Sequence, residues 1–337
     1  MSNSFGSNLR PLIGTDIRIK KKININVPIV FHIMCDLGIP NDKIDKQIDV
    51  NIIPSINRDF NRNQKNLQNY PAIVRTIFSN YPNKGKLYMF HYFKILKNTD
   101  LVLWNFYHCT TNFYVNNTNP FTGSPVNDNS IIDLSPAMNP NMCVNIWINS
   151  YGDIDGSSVY PWDNRLPDKI TLDPLLEKYH GIKINKNVFG PNFPLNFERS
   201  NYTTFSHEIG HYFGLLNTFD NTSYASPDFQ YNNLLINYNT CTDADTTDDL
   251  IVDTPYQILG TVPKVLEVNK DFDTHLTNIF NDANDYDPMF MNLMDTTPDN
   301  YIGRRYFFTR DQQFKMIYFI ERYYPSILSS IVQQQPV

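Results

Sequence analysis

Residues 207 to 211 read His207-Glu208-Ile209-Gly210-His211, two imidazoles four positions apart with a carboxylate beside the first. At about 100° per residue a helix sets positions i and i+4 on one face, so both rings can reach a single zinc ion. Glu208 then stands where a base is needed, to take a proton from an attacking water while the metal polarises a peptide carbonyl. Gly214, three residues on, lets the chain break away from the helix. An amphipathic helix carrying these residues by accident is the competing reading. The run Tyr212-Phe213-Gly214-Leu215-Leu216-Asn217 weighs against it, because glycine and following hydrophobics recur with the motif.

With its extension Leu215-x-x-Thr218-Phe219, the motif resembles the pappalysin (cytophagalysin-like) branch of the metzincin zinc metalloproteases. Several further segments are similar, in the right order. Val27-Pro28-Ile29-Val30-Phe31-His32 resembles the family's first strand, and Gln47-Ile48-Asp49-Val50-Asn51 with Asn57-Arg58-Asp59-Phe60 its first helix. Val144-Asn145-Ile146-Trp147-Ile148 resembles the next sheet strand. Asp249-Leu250-Ile251-Val252-Asp253-Thr254-Pro255 resembles the family's Gly-Asp-x-Val-x-Asp-Thr-Pro segment, with Asp248 in the glycine place. Asn292-Leu293-Met294-Asp295 resembles the Met-turn, and Phe308-Thr309-Arg310-Asp311-Gln312 the start of the C-terminal helix. The resemblance spans about Val27 to Pro325.

That resemblance implies an α+β fold: a twisted mixed sheet, an active-site helix, a Met-turn and a C-terminal helix. It implies zinc held by His207 and His211, Glu208 as base, and Asn217 in the place of the third ligand, where the family has histidine. A neutral amide is a poor zinc donor, so the metal would rest on two histidines plus water or another oxygen. Asp220 is a minor candidate for that oxygen, and His275 a remote one. Met294 would floor the site. Thr296 stands where the family has a tyrosine that steadies the oxyanion, and losing one such donor costs about 10²–10³ in turnover. Tyr301 is a substitute phenol that sequence cannot place.

Asp153 to Pro161 falls where the family has the edge strand above the zinc. Ser157, Ser158, Val159 and Tyr160 are therefore expected to bind an extended polypeptide through main-chain bonds, with little sequence selectivity. For Asp248, Asp249, Asp253 and Thr254 two readings stand together. One is the structural calcium site the family suggests, since hard carboxylate oxygens suit calcium, and the other is an acidic solvated loop.

The chain has 337 residues, 41% hydrophobic and 14% aromatic, enough for one large core. A net charge of −6 carries no footprint for nucleic acid. Residues 1–25 read as a polar arm, 26–330 as the metalloprotease-like domain and 331–337 as a tail. Gly214 divides the upper part, 26–213, from the lower, 214–330. Within these, a helix is expected from Asp42 to Gln64, strands around Leu87 to Leu96 and Leu101 to Tyr107, and a surface loop from Asn112 to Asn141. A final helix is expected near Thr309 to Tyr324.

Met1 to Thr15 has no apolar core of the length a secretory signal needs, and no stretch approaches a membrane span. Of the cysteines, Cys35, Cys109, Cys143 and Cys241, only Cys241 falls where the family has a disulfide partner, and its mate is missing. Both features favour a reducing, intracellular or virion-associated setting. The excess of Asn, Ile, Tyr and Phe suggests an AT-rich coding genome, such as that of a large DNA virus or a parasite. His32 and His91 read as core imidazoles in strands, and His180 as the end of a helix. Two functions remain: a zinc metalloendopeptidase, or a catalytically degenerate homologue that binds peptide or serves as a structural, for example virion, component.

Overall fold

The computed structural model describes residues 23–34, 41–61, 102–114, 130–149, 155–168, 170–189, 202–218, 292–294 and 307–329. In chain order the elements are β1 (Ile23–Met34), α1 (Asn41–Gln47), a π-helical stretch (Ile48–Ile52), α2 (Ile53–Phe60), β2 (Val102–Tyr114), α3 (Ser130–Leu134), β3 (Val144–Asn149), β4 (Gly156–Ser158), β5 (Ile182–Asn185), α4 (Thr203–Tyr212), α5 (Arg310–Tyr323) and α6 (Pro325–Ser329). The five strands form one mixed sheet ordered β2-β1-β3-β5-β4. The first four run parallel and β4 pairs antiparallel with β5.

Central strands of such a sheet are covered on both faces, and their sequences are correspondingly rich in apolar residues, with His32, Asn145 and Asn149 as buried polar exceptions. All six residues of β3 are buried, as is the stretch of β1 from Ile29 to Ile33. In β2 burial alternates instead: Val102, Trp104 and Phe106 point into the core, while Leu103, Asn105 and Tyr107 point out. Cys109 is the extra residue of a bulge in β2, because Ile29 aligns with His108 and Val30 with Thr110.

The first helix is continuous from α1 through the π stretch into α2. Pro54 lies in its interior, lacks an N–H and crowds the carbonyl one turn back, and the wide turn before it accommodates both effects. Two asparagines one turn apart fasten this helix to the sheet. Asn57 takes up both main-chain groups of Phe106 at 2.8 Å, and Asn61 those of Trp104 at 2.7 and 2.9 Å. Their amides imitate a further strand and satisfy the outward-facing backbone of β2 there. Phe60 packs against Trp104, Phe106 and Phe308, which joins helix, sheet and the C-terminal segment into one core.

Three expectations are corrected in extent. The first strand starts at Ile23 rather than Val27, inside the segment read as an arm, because Ile23 onward pairs with Val102 onward. The helix expected to Gln64 ends at Phe60. The Asn112 to Asn141 segment is not wholly loop: Asn112 to Tyr114 complete β2 by pairing with His32 to Met34, and Ser130–Leu134 is helical, with Ile132 buried against Tyr114 and Trp147. The strand expected at Leu87 to Leu96 lies outside the described residues. Among the described residues no helix is long and apolar enough to cross a membrane.

Candidate metal centre and peptide-binding edge

Helix α4 carries the motif and is almost wholly buried, packed on β4, β5 and α2. Asp59 of α2, itself buried, accepts a 2.7 Å bond from the Ser206 hydroxyl and so ties the first helix to the turn that presents His207. A carboxylate in that position also complements the positive end of α4.

The helix ends in a Schellman turn. Gly214 adopts φ +91°, its N–H donates to His211 O at 2.8 Å, and Leu215 N–H donates to Gly210 O at 2.9 Å. A β-carbon at 214 would also run into the Phe319 ring. Glycine is thus required twice over, by backbone and by space. The turn has a chemical result, because it brings the Leu215 carbonyl to His211 Nδ1 at 2.8 Å. His207 Nδ1 meets the Leu293 carbonyl at 2.6 Å. A carbonyl only accepts, so both Nδ1 atoms carry the proton and both Nε2 atoms present lone pairs.

Those two Nε2 atoms lie 3.1 Å apart, with the rings at 89°. Two lone pairs facing each other at that distance repel, and a cation between them removes the conflict. Nitrogens bound at ordinary lengths to one tetrahedral zinc stand about 3.3 Å apart, close to what is seen. The donor set therefore fits a divalent metal on this face. Met294, fully buried, lies under Gly210, where an added β-carbon would stand 2.5 Å from its sulfur. Asn217 follows two residues after Leu215 with its Oδ1 buried, and Thr218 N–H bonds the Met294 carbonyl at 3.1 Å, which holds this segment against residues 292–294. Among the described residues no third His, Cys, Asp or Glu joins the two histidines.

Glu208 is buried against β4. A β-carbon on Gly156 would stand 2.8 Å from its Cγ and 2.9 Å from Oε1, so its carboxylate occupies the space that the absent side chain leaves. β4 is the outermost strand on its side among the described residues, and Ser157 and Ser158 lie in it. Val159 continues the pairing through its N–H to Gly181 O at 3.2 Å. Tyr160 turns edge-on to His211 at 5.6 Å and stacks on Trp162 at 4.9 Å, and Trp162 leans on Phe319. Of the four residues expected to bind an extended polypeptide, Tyr160 meets His211, while Ser157 and Ser158 lie in β4 and Val159 directly follows it.

The other described histidines, His32, His108 and His180, have partners of their own. His32 is buried, bonded to Ser135 at 2.7 Å and Asn145 at 3.0 Å and stacked on Trp147; burial pulls its pKa down to about 4. His180 ends a short 3-10 turn, is buried and bonds the Tyr324 hydroxyl at 2.7 Å; burial and the nearby Arg165 lower its pKa to about 3. His108 pairs with Asp49 on the surface at 2.8 Å. Cys109 and Cys143 are free thiols. Cys35, His91, Asp220, Cys241, Asp248, Asp249, Asp253, Thr254, His275, Thr296 and Tyr301 lie outside the described residues.

Sequence reasoning did not single out Gly156, Asp59 with Ser206, or Gln312 with Asn292. The last pair had a signal, since Thr309-x-x-Gln312 is a capping box.

Among solved structures the chain is similar to mature mirolysin of Tannerella forsythia in complex with a cleaved peptide, at 18% identity and TM-score 0.52, covering 94% of this chain and 100% of that one. It is equally similar to mirolysin in complex with a small compound, at TM-score 0.54 with the same coverage and identity. The chain therefore shares the fold of mirolysin, a mixed sheet with packed helices. Among curated proteins it is 26% identical over 349 residues to an uncharacterized protein of Acanthamoeba polyphaga mimivirus, covering 94% of this chain and 34% of that one. The chain thus spans about a third of that relative's length. No family model matches the chain.

Proposed function

We propose that the chain is a zinc-dependent metalloendopeptidase of pappalysin type. The observation that carries this is the convergence of the His207 and His211 Nε2 atoms at 3.1 Å, each ring locked through Nδ1 to a backbone carbonyl. A zinc ion on these nitrogens would polarise the scissile carbonyl and acidify water. Asn217 occupies the third-ligand place.

Glu208 is the general base. Its carboxylate, backed by Gly156, takes a proton from the attacking water and passes it to the leaving amine. The outer edge of β4 holds an extended polypeptide by main-chain bonds, with Ser157 and Ser158 in the strand and Tyr160 beside the histidines. Met294 fills the floor beneath Gly210 and keeps α4 from settling.

A second reading draws on Asn217: a homologue without turnover that uses the same edge to bind peptide, for example as a virion component. Glu208→Ala separates the two. Loss of cleavage of an unfolded polypeptide supports the peptidase, and equal cleavage by both proteins, or by neither, removes it.

A further inference from the structure

We propose that Gln312 is a positioning residue for His207, acting through Asn292 and the Leu293 carbonyl. The consequence for zinc rests on the metal-centre reading above, while the consequence for the imidazole does not.

Gln312 is fully buried at the third position of α5. Its Oε1 accepts from Thr309 N–H at 2.8 Å and from Asn292 Nδ2 at 2.9 Å, and its Nε2 donates to Asn292 Oδ1 at 3.1 Å. Asn292 Oδ1 also accepts from Met294 N–H at 2.8 Å. A trans peptide is planar, so the Met294 N–H and the Leu293 carbonyl lie in one plane and point in opposite directions. Fixing the first aims the second, and it is the second that receives the His207 Nδ1 proton at 2.6 Å. The preceding peptide is held as well, because Leu293 N–H donates to Phe307 O at 2.9 Å. The two amides therefore set the direction of a carbonyl that in turn sets which nitrogen of His207 faces the metal.

The choice of glutamine is informative. A helix cap alone is served by Glu or Gln at this position. Only an amide can both accept from Thr309 and Asn292 and donate to Asn292 Oδ1. A carboxylate would set two acceptor oxygens about 3 Å apart in a buried site.

The test compares wild type, Gln312→Glu, which keeps the cap acceptor, and Gln312→Met, which keeps the volume, with Thr309→Ala, which weakens the cap and leaves the amide pair. The readout is the His207 tautomer in the metal-free full chain, measured by nitrogen-15 NMR above pH 7.5. We expect His207 held with the proton on Nδ1 in wild type and in Thr309→Ala, and a mixed tautomer in both Gln312 variants. Chelator-competition zinc titration should show binding about tenfold weaker in those variants, the lower end of the range for partners behind a metal-binding histidine.

A single Nδ1–H tautomer in a folded Gln312 variant would overturn the proposal, as would equal loosening by Thr309→Ala, which would make it a matter of helix stability. If both Gln312 variants fail to fold, Asn292→Ser, which retains an acceptor for Met294 N–H but not the pair, gives the same reading. Absence of zinc uptake by wild type alongside the expected tautomer change would sink the metal centre and leave this inference standing. Zinc uptake with an unchanged tautomer would do the reverse.

Discussion

Replacing Gly156 by alanine tests where the base sits. The added β-carbon falls 2.8 Å from Glu208 Cγ, 2.9 Å from Oε1 and 3.1 Å from Cδ. Carbon atoms in contact settle at about 3.5–4.0 Å, so the carboxylate must retreat by roughly 0.7 Å or more. Misplacement of a reacting group by about 1 Å costs on the order of 10²-fold, and we expect kcat to fall about 30- to 100-fold, near 2–2.7 kcal/mol. KM should change little, because the main chain of β4 is retained. Zinc content should be unchanged, since the histidines are held from Leu215 and Leu293. The fold itself should tolerate alanine, as the lower entropy of the unfolded chain offsets part of the crowding. The assay is turnover of a fluorogenic polypeptide by Gly156→Ala beside Glu208→Gln, with melting temperature as control. A folded alanine variant with wild-type kcat would refute the placement of Glu208 as base.

Other consequences follow from the same geometry. Asn217→His should tighten zinc binding by more than about tenfold, or about 1.4 kcal/mol, in chelator competition, and an unchanged affinity would remove residue 217 from the ligand place. Gly214→Ala combines a positive φ with collision against Phe319, and we expect a loss of about 2–5 kcal/mol, seen as a melting temperature lower by roughly 3–7 °C for a chain of this length. The buried histidines give an acid limb. His180 and His32 have folded pKa values of about 3 and about 4 against 6.5, so the unfolded chain binds more protons between those values. Their contribution is therefore complete above pH 6.5 and is lost as pH falls toward 3–4. Urea unfolding of His180→Gln from pH 7 to 4 should show a shallower slope than wild type, and an equal slope would contradict the assignment.

Much of this was legible in the sequence because it depends on short-range rules. The i, i+4 histidines, the glycine that ends their helix, the alternation of Val102, Trp104 and Phe106, and the Thr309 cap all announce themselves within one or two turns of chain. What was not legible depends on pairing between distant segments. The start of β1 at Ile23 is set by Val102, about eighty residues away, and the helical turn of α3 by contacts of Ile132 with Trp147 and Tyr114. The carbonyls that orient the two rings have no side-chain signature at all, since any residue at 215 or 293 would supply one. Gly156 looks like a turn glycine until Glu208 is placed over it. Asn57 and Asn61 look like ordinary surface helix positions until they meet the edge of β2.

The central claim is that the paired imidazoles hold zinc despite Asn217. It is tested most directly by elemental analysis of the purified chain after dialysis under limiting zinc, with His207→Ala and Asn217→His treated alongside. The account predicts one zinc per wild-type chain and none in His207→Ala. Zinc absent from wild type and present once in Asn217→His would contradict it, and would identify residue 217 as the change that closed the metal centre to catalysis.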